Sequence, residues 1–157
     1  MGGLDNSYYF ITKNEIVYEV KFKTSGYVFD KLPAIQSHTF EFIIEVIENP
    51  KGTAVPFDNM MRNTVAAIIL DFFNHDKTVV IYVCDTSDAR GMARFRKFNS
   101  WFSTHPAAAK FSKHDIGLME VNETPFFASI ITRIDNPLGR QVVWQFLELA
   151  TQYNQPK

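Results

Sequence analysis

Four residues that close an apolar run, Cys84, Asp85, Asp88 and Arg90, carry the side chains best suited to chemistry. The run itself, Thr78 to Cys84, has the composition of a strand buried on both faces, and ligands in open α/β sheets bind beyond the carboxyl ends of such strands. Two carboxylates and a guanidinium at that point could hold a ligand or move a proton. The same residues also suit plainer work. Asp85, Ser87 or Asp88 can cap a helix that starts there and offset its dipole, with Arg90 pairing locally. Cys84 has no histidine near it in sequence to lower its pKa, so it reads as a small buried side chain rather than a nucleophile.

Downstream, Arg90, Arg94, Lys97 and Trp101 step by four, three and four residues. That spacing puts all four on one side of a helix, next to its apolar face. An aromatic ring beside three cations can stack a flat group while the cations meet phosphate or carboxylate. The plainer account is a solvated basic face whose Trp folds over the edge of the core. Trp144 leaves the apolar stripe of the last helix in a similar way, which suits either an interface or edge packing.

Other constellations argue themselves down. Glu19-Val20-Lys21 has the acid-x-lysine form used by metal-dependent nucleases, but it has no partner aspartate, and cross-strand charge pairing explains it. Glu41 and Glu45 share one face of a strand and read as a polar sheet surface. His38, His75, His105 and His114 show neither the i, i+4 spacing of a helical zinc site nor a cysteine cluster beside them, so no metal is expected.

The elements that must position these residues follow from periodicity. Ile16, Tyr18, Val20 and Phe22 alternate with polar residues, so they form a strand that pairs with Ser7 to Thr12 through a turn at Lys13 and Asn14. A short strand is expected at Tyr27 to Phe29, and another along Phe40, Phe42, Ile44 and Val46, giving an antiparallel meander. After Asn49 to Pro56 the period lengthens: Met61, Val65, Ile68 and Phe72 mark a helix behind Asp58, its expected N-cap. The second helix buries Met92, Phe95, Phe98 and Phe102 and stops at Pro106. Strands near Asp115 to Val121 and Pro125 to Ile134 form a hairpin, and Asn136-Pro137 opens a last helix burying Val142, Phe146, Leu149 and Ala150. The expected fold is α+β, a mixed and largely antiparallel sheet flanked by about three helices in one domain spanning residues 1–157.

Composition sets the outer bounds. Fifteen Phe, six Tyr and two Trp predict a bulky aromatic core, with a covered aromatic surface as a second outlet. Sixteen basic against seventeen acidic residues leave a net charge of -1. No global field draws nucleic acid or anionic lipid to such a chain. Cys84 is the sole cysteine, which excludes an intrachain disulfide. Residues 1–6 show no basic segment leading into an apolar one, and no run reaches the about eighteen apolar residues of a membrane span, so a cytoplasmic setting is expected.

Two resemblances come from particular residues. The stretch Tyr82-Val83-Cys84-Asp85-Thr86-Ser87-Asp88-Ala89-Arg90, with Arg94, Phe98 and Trp101-Phe102, resembles a bacterial family known only as a domain of unknown function. Val55-Pro56-Phe57-Asp58, Asp71-Phe72-Phe73 and Ala128-Ser129-Ile130-Ile131 also look like that family, so the resemblance covers most of the chain and implies no activity. The element order is similar to the later part of GCN5-related N-acetyltransferases, an analogy of fold and not of site. Such enzymes hold the pyrophosphate of acetyl-coenzyme A on a glycine-rich turn before the first of these helices. Here that turn reads Phe57-Asp58-Asn59-Met60-Met61-Arg62-Asn63, without glycine and with an aspartate that would repel phosphate. The tyrosine acid often found on the following helix is missing as well.

The expectation is therefore a non-catalytic module that binds a protein or a small anionic ligand with Arg90, Arg94, Lys97 and Trp101; a homodimer would fit as well. No membrane or cofactor is expected. The enzyme alternative is a divergent acyltransferase-like protein that takes acetyl-coenzyme A in the groove near Asp85 and Asp88. Single-stranded nucleic-acid binding ranks below both, because the chain is not basic.

Overall fold

A computed structural model of the chain describes residues 6–52, 59–84, 91–119 and 125–153. Strand β1 (Ser7–Ile11) pairs antiparallel with β2 (Val17–Thr24), Tyr9 opposite Glu19, as the two-residue period predicts. The turn closes through the Glu15 N-H donating to Thr12 O at 2.9 Å, and Glu15 takes a left-handed conformation with φ 61°. Tyr18, Val20 and Phe22 are buried on one face, while Glu19 and Lys21 lie on the other. Strand β3 (Thr39–Glu48) adds to β2 antiparallel, with a bulge at Val17 and Tyr18.

The expected strand at Tyr27 to Phe29 is instead a 3-10 helical turn, Gly26–Phe29, followed by the short helix α1 (Pro33–Gln36). Three residues are too few to declare a period, and packing decides the outcome. Phe29 and Ile35 are fully buried on the second face of the sheet, so this segment plugs a face rather than extending an edge. Gly26 permits the fold-back, because a Cβ there would lie 2.4 Å from Gln36 O.

Helix α2 (Asn59–Phe72) leads to β4 (Val79–Cys84), and α3 (Gly91–Thr104) follows. A 3-10 turn at Pro106–Lys110 then precedes β5 (Phe111–Met119), β6 (Pro125–Arg133) and α4 (Gly139–Tyr153). The expected caps at Asp58 and at Asp85 to Asp88, and the hairpin turn at Asn122 to Thr124, lie outside the described residues. β5 begins at Phe111, four residues before the expected Asp115, since Phe111 packs edge-on against Phe73 with centroids 4.9 Å apart.

The architecture is α+β: the described residues form a mixed six-stranded sheet in the order β1-β2-β3-β4-β6-β5 with four helices. Among the described residues only β3 and β4 pair in parallel, over Thr39 to Phe42 and Val79 to Tyr82, joined by the α2 crossover. β4 lies inside the sheet as its composition requires, with Thr78 to Tyr82 all buried. Val80 and Tyr82 face the core under α2 and α3, while Val79 and Ile81 face the core under α4 and α1. The aromatic share is spent mainly in the first core, where Phe22 stacks on Phe72 with centroids 3.7 Å apart and Tyr82 lies 4.3 Å from Phe98. In α4, Val142 and Phe146 are buried as expected, but Leu149 is 37% exposed because it lies at the margin of the buried stripe. Among the described residues no helix is long and apolar enough to cross a membrane.

The two parallel strands start from a joint built on histidines. The Val79 N-H donates to His38 O at 2.8 Å, and the His38 and His75 rings stack 4.4 Å apart. Burial holds His38 below the usual imidazole range, His75 and Lys77 lower it further, and Asp76 opposes them. Below about pH 6.5 the unfolded chain therefore binds a proton that the native His38 refuses until lower pH. Stability is complete above that window and is lost as pH falls through it. Urea midpoints measured from about pH 7 down to about pH 5 should fall, and His38→Gln should flatten that decline.

Candidate functional site

Helix α3 carries the part of the cationic stripe that the structure describes. Lys97 is exposed and Trp101 is half-buried one turn later, so these two share a side of the helix, as their spacing predicts. Arg94 falls in the first turn of α3, but its side chain lies outside the described set, and Arg90, Asp85 and Asp88 lie outside the described residues altogether. Only the backbone of Cys84 is described, at the end of β4.

Trp101 walls a cleft between α2 and α3. Val65 and Ile69 form the facing side, Phe98, Phe102 and Phe111 the floor, and Arg62 and His105 stand at the rim. The cleft exists because α2 and α3 lie over the same sheet face and the 3-10 turn after Pro106 stops them from closing on each other. Its cavity volume is about 50 Å³. Small-molecule sites run to about 300 Å³ or more, and even benzene takes a void of about 150 Å³. So the cleft admits a small aliphatic group and not a cofactor. His105 is already committed, since its Nδ1 accepts from the Ala107 N-H at 3.1 Å and caps the 3-10 turn. Among the described residues no carboxylate lines the cleft. Hydrocarbon walls with the Arg62 guanidinium among the lining residues suit the binding of an apolar group.

A second constellation was not singled out from the sequence. Lys113 and Asp115 alternate on β5, Ser129 lies opposite Asp115 on β6, and Asn99 reaches down from α3. Ser129 Oγ donates to Asp115 Oδ1 at 2.6 Å, and Asn99 Nδ2 donates to Asp115 Oδ2 at 3.3 Å. Lys113 Nζ donates to both Asp115 and Asn99, and lies 6.0 Å from the centre of the Phe98 ring. The Lys113 side chain is 8% exposed and Ser129 is fully buried, whereas the Asp115 side chain is 39% exposed. Ser129 cannot meet a substrate, so the network acts as a brace tying α3 to the β5-β6 hairpin. A serine inside the apolar run Ala128-Ser129-Ile130-Ile131 was the available signal, because a buried hydroxyl needs a partner.

The remaining candidates take ordinary roles. Lys21 Nζ meets Glu45 at 3.3 Å and Ser7 Oγ donates to Glu19, so the open face of β1 to β3 carries cross-strand polar pairs. Among the described residues no group of three or more His, Cys, Asp or Glu could hold a metal ion. Trp144 is 71% exposed on the outer side of α4.

The chain belongs to the family of unknown function DUF6169, whose model matches residues 57–148, well over half of its length. No curated protein and no solved structure matches the chain. The matched stretch holds the whole cleft and the whole brace, and β1 to β3 precede it.

The brace makes an asymmetric prediction. Removing the carboxylate with Asp115→Ala leaves an ammonium buried without its anion, at a cost of about 3 kcal/mol. Lys113→Met leaves a carboxylate that water can reach, at roughly 1 kcal/mol. Urea unfolding of both variants checks the order, and equal losses would show that the pair does not act as a buried ion pair.

Proposed function

We propose that the chain is a non-catalytic binding module that takes a protein, or a small anionic ligand, on the α3 stripe. Arg94, Lys97 and Trp101 would make the contact, with Arg90, Asp85 and Asp88 extending it beyond the end of β4. The observation that carries this reading is the cleft beside Trp101: apolar, about 50 Å³, with Arg62 at its rim and, among the described residues, no carboxylate in its lining. Such a cleft suits one aliphatic side chain presented beside an acidic group, because Arg62 and the nearby Lys97 of α3 steer and orient a partner while the buried anchor supplies the affinity. A cytoplasmic setting in a bacterial cell goes with this reading, supported by the single cysteine and the resemblance around Tyr82 to Arg90.

The alternative is a divergent acyltransferase-like enzyme of acetyltransferase-like topology. What favours it is the separation of β3 from β4. Their pairing ends at Phe42 and Tyr82 although both strands run on, and this opens the sheet at the carboxyl end of the parallel pair. Against it stands the stretch Phe57 to Asn63, which lacks the glycines that a close phosphate approach requires.

Two measurements separate these readings. For the module, an immobilised library of acidic peptides, each with one Leu or Val, should retain the protein at low salt. Arg62→Ala, Lys97→Ala and Trp101→Leu together should reduce that retention by about tenfold or more with little change in melting temperature. Equal retention by the triple variant would remove the proposal. For the enzyme, millimolar acetyl-coenzyme A should raise the melting temperature, and an unchanged transition would eliminate that alternative.

A further inference from the structure

Helix α4 is packed on one side only. Val142 and Phe146 are buried against the sheet, and the opposite side carries Trp144, 71% exposed, and Leu147, 42% exposed. Tryptophan is highly buried on average and is the side chain most enriched at the energetic centres of interfaces, so an indole turned straight outward calls for a cover. A shallow depression runs beside it, lined also by Leu32, Gln141 and Gln145.

The charges around the indole say what the cover is. At four-residue steps through Trp144 the helix reads Arg140-Trp144-Glu148, and residues so spaced form one ridge. A cation stands one turn before the ring and an anion one turn after it. The two lie eight residues apart, about 12 Å along the axis, too far to pair with each other. Among the described residues neither has an ion-pair partner. Arg140 is exposed and stands in the first turn of α4, where the helix dipole disfavours a cation, so an anion brought from outside would relieve it. A ridge with this charge order is complementary to itself when reversed. An acidic partner would leave Glu148 facing like charge, and a basic one would do the same to Arg140; a second copy in the opposite sense satisfies both.

We infer that the outer side of α4 pairs with the same side of a second copy of this chain, the two helices running in opposite senses about a two-fold axis at Trp144. Arg140 of each copy meets Glu148 of the other, and the two indoles pack together at the axis with Leu147 beside them. Aligned ridges of this spacing cross at about -50°, the commonest packing of two helices. A contact this small falls at the low end of interface areas, under about 1,200 Å², so the dimer is a weak one. The cleft beside Trp101 lies on the other face of the sheet, so the pairing does not depend on the role assigned to that cleft.

Sedimentation equilibrium of the whole chain tests this. The wild-type protein should dimerise at about 100 μM, and less so as salt rises. Arg140→Glu leaves two anions on the ridge and Glu148→Arg leaves two cations, so each variant alone should self-associate about tenfold or more weakly, with its circular dichroism unchanged. An equimolar mixture of the two variants should recover the dimer, because the acidic ridge then meets the basic one. Trp144→Ala should lose the dimer whatever the charges. A wild-type chain that stays monomeric up to about 1 mM, a dimer that survives both charge reversals, or a mixture no more associated than its two components would overturn the inference.

Discussion

Strand β4 is apolar on both faces, and a strand of that kind can exist only where both faces are covered. Val79 and Val80 point to opposite sides and neither touches solvent. Each such side chain contributes about 1.5 to 3 kcal/mol only when it is buried. One face needs α2 and α3, and the other needs α4, α1 and the turn at Gly26–Phe29. The parallel step from β3 to β4 follows from the same demand, since α2 must cross over the sheet before the chain can return beside β3. From this arrangement come two surfaces on opposite sides of the molecule, the cleft between α2 and α3 and the outer side of α4.

Those surfaces differ in chemistry because their helices meet the sheet differently. Over the first face two helices lie next to each other, and the residues between them are Val, Ile and Phe, so the gap is small and dry. On the second face, α4 keeps Val142 and Phe146 inward and turns Arg140 and Trp144 outward. In the Lys113 brace, lysine, carboxylate, carboxamide and hydroxyl satisfy one another beneath α3. Buried networks of this kind fix one arrangement of helix against hairpin.

Much of the fold was legible in the residue pattern, and the exceptions have physical causes. Alternation along Tyr18, Val20 and Phe22 and the unbroken run Val79 to Tyr82 are signals spread over many residues, and each specified its strand. Tyr27 to Phe29 was too short to carry a period, so the need to plug the second face prevailed over local composition. Phe111 to His114 went unassigned to β5 because a lone Phe between a 3-10 turn and the polar stretch Ser112-Lys113-His114-Asp115 shows no alternation until Phe73 packs on it. Spacing on α3 placed Lys97 and Trp101 on one side, but spacing within one helix says nothing of what stands across from it. Arg62 joins Trp101 through tertiary packing, and Ser129, Asp115, Lys113 and Asn99 meet from three separate elements. Such meetings become visible only once the sheet order is known.

The account stands most directly on the coverage of β4 from both sides. Amide hydrogen exchange under native conditions reads that coverage, because an amide at the centre of two cores exchanges only when the whole molecule unfolds. Val79 to Tyr82 should show the slowest exchange in the chain, with a free energy equal to that of global unfolding, while the edge strand β1 exchanges through cheaper local openings. Exchange of Val79 to Tyr82 as fast as that of Tyr8 to Phe10 would contradict the burial of β4 between the two cores.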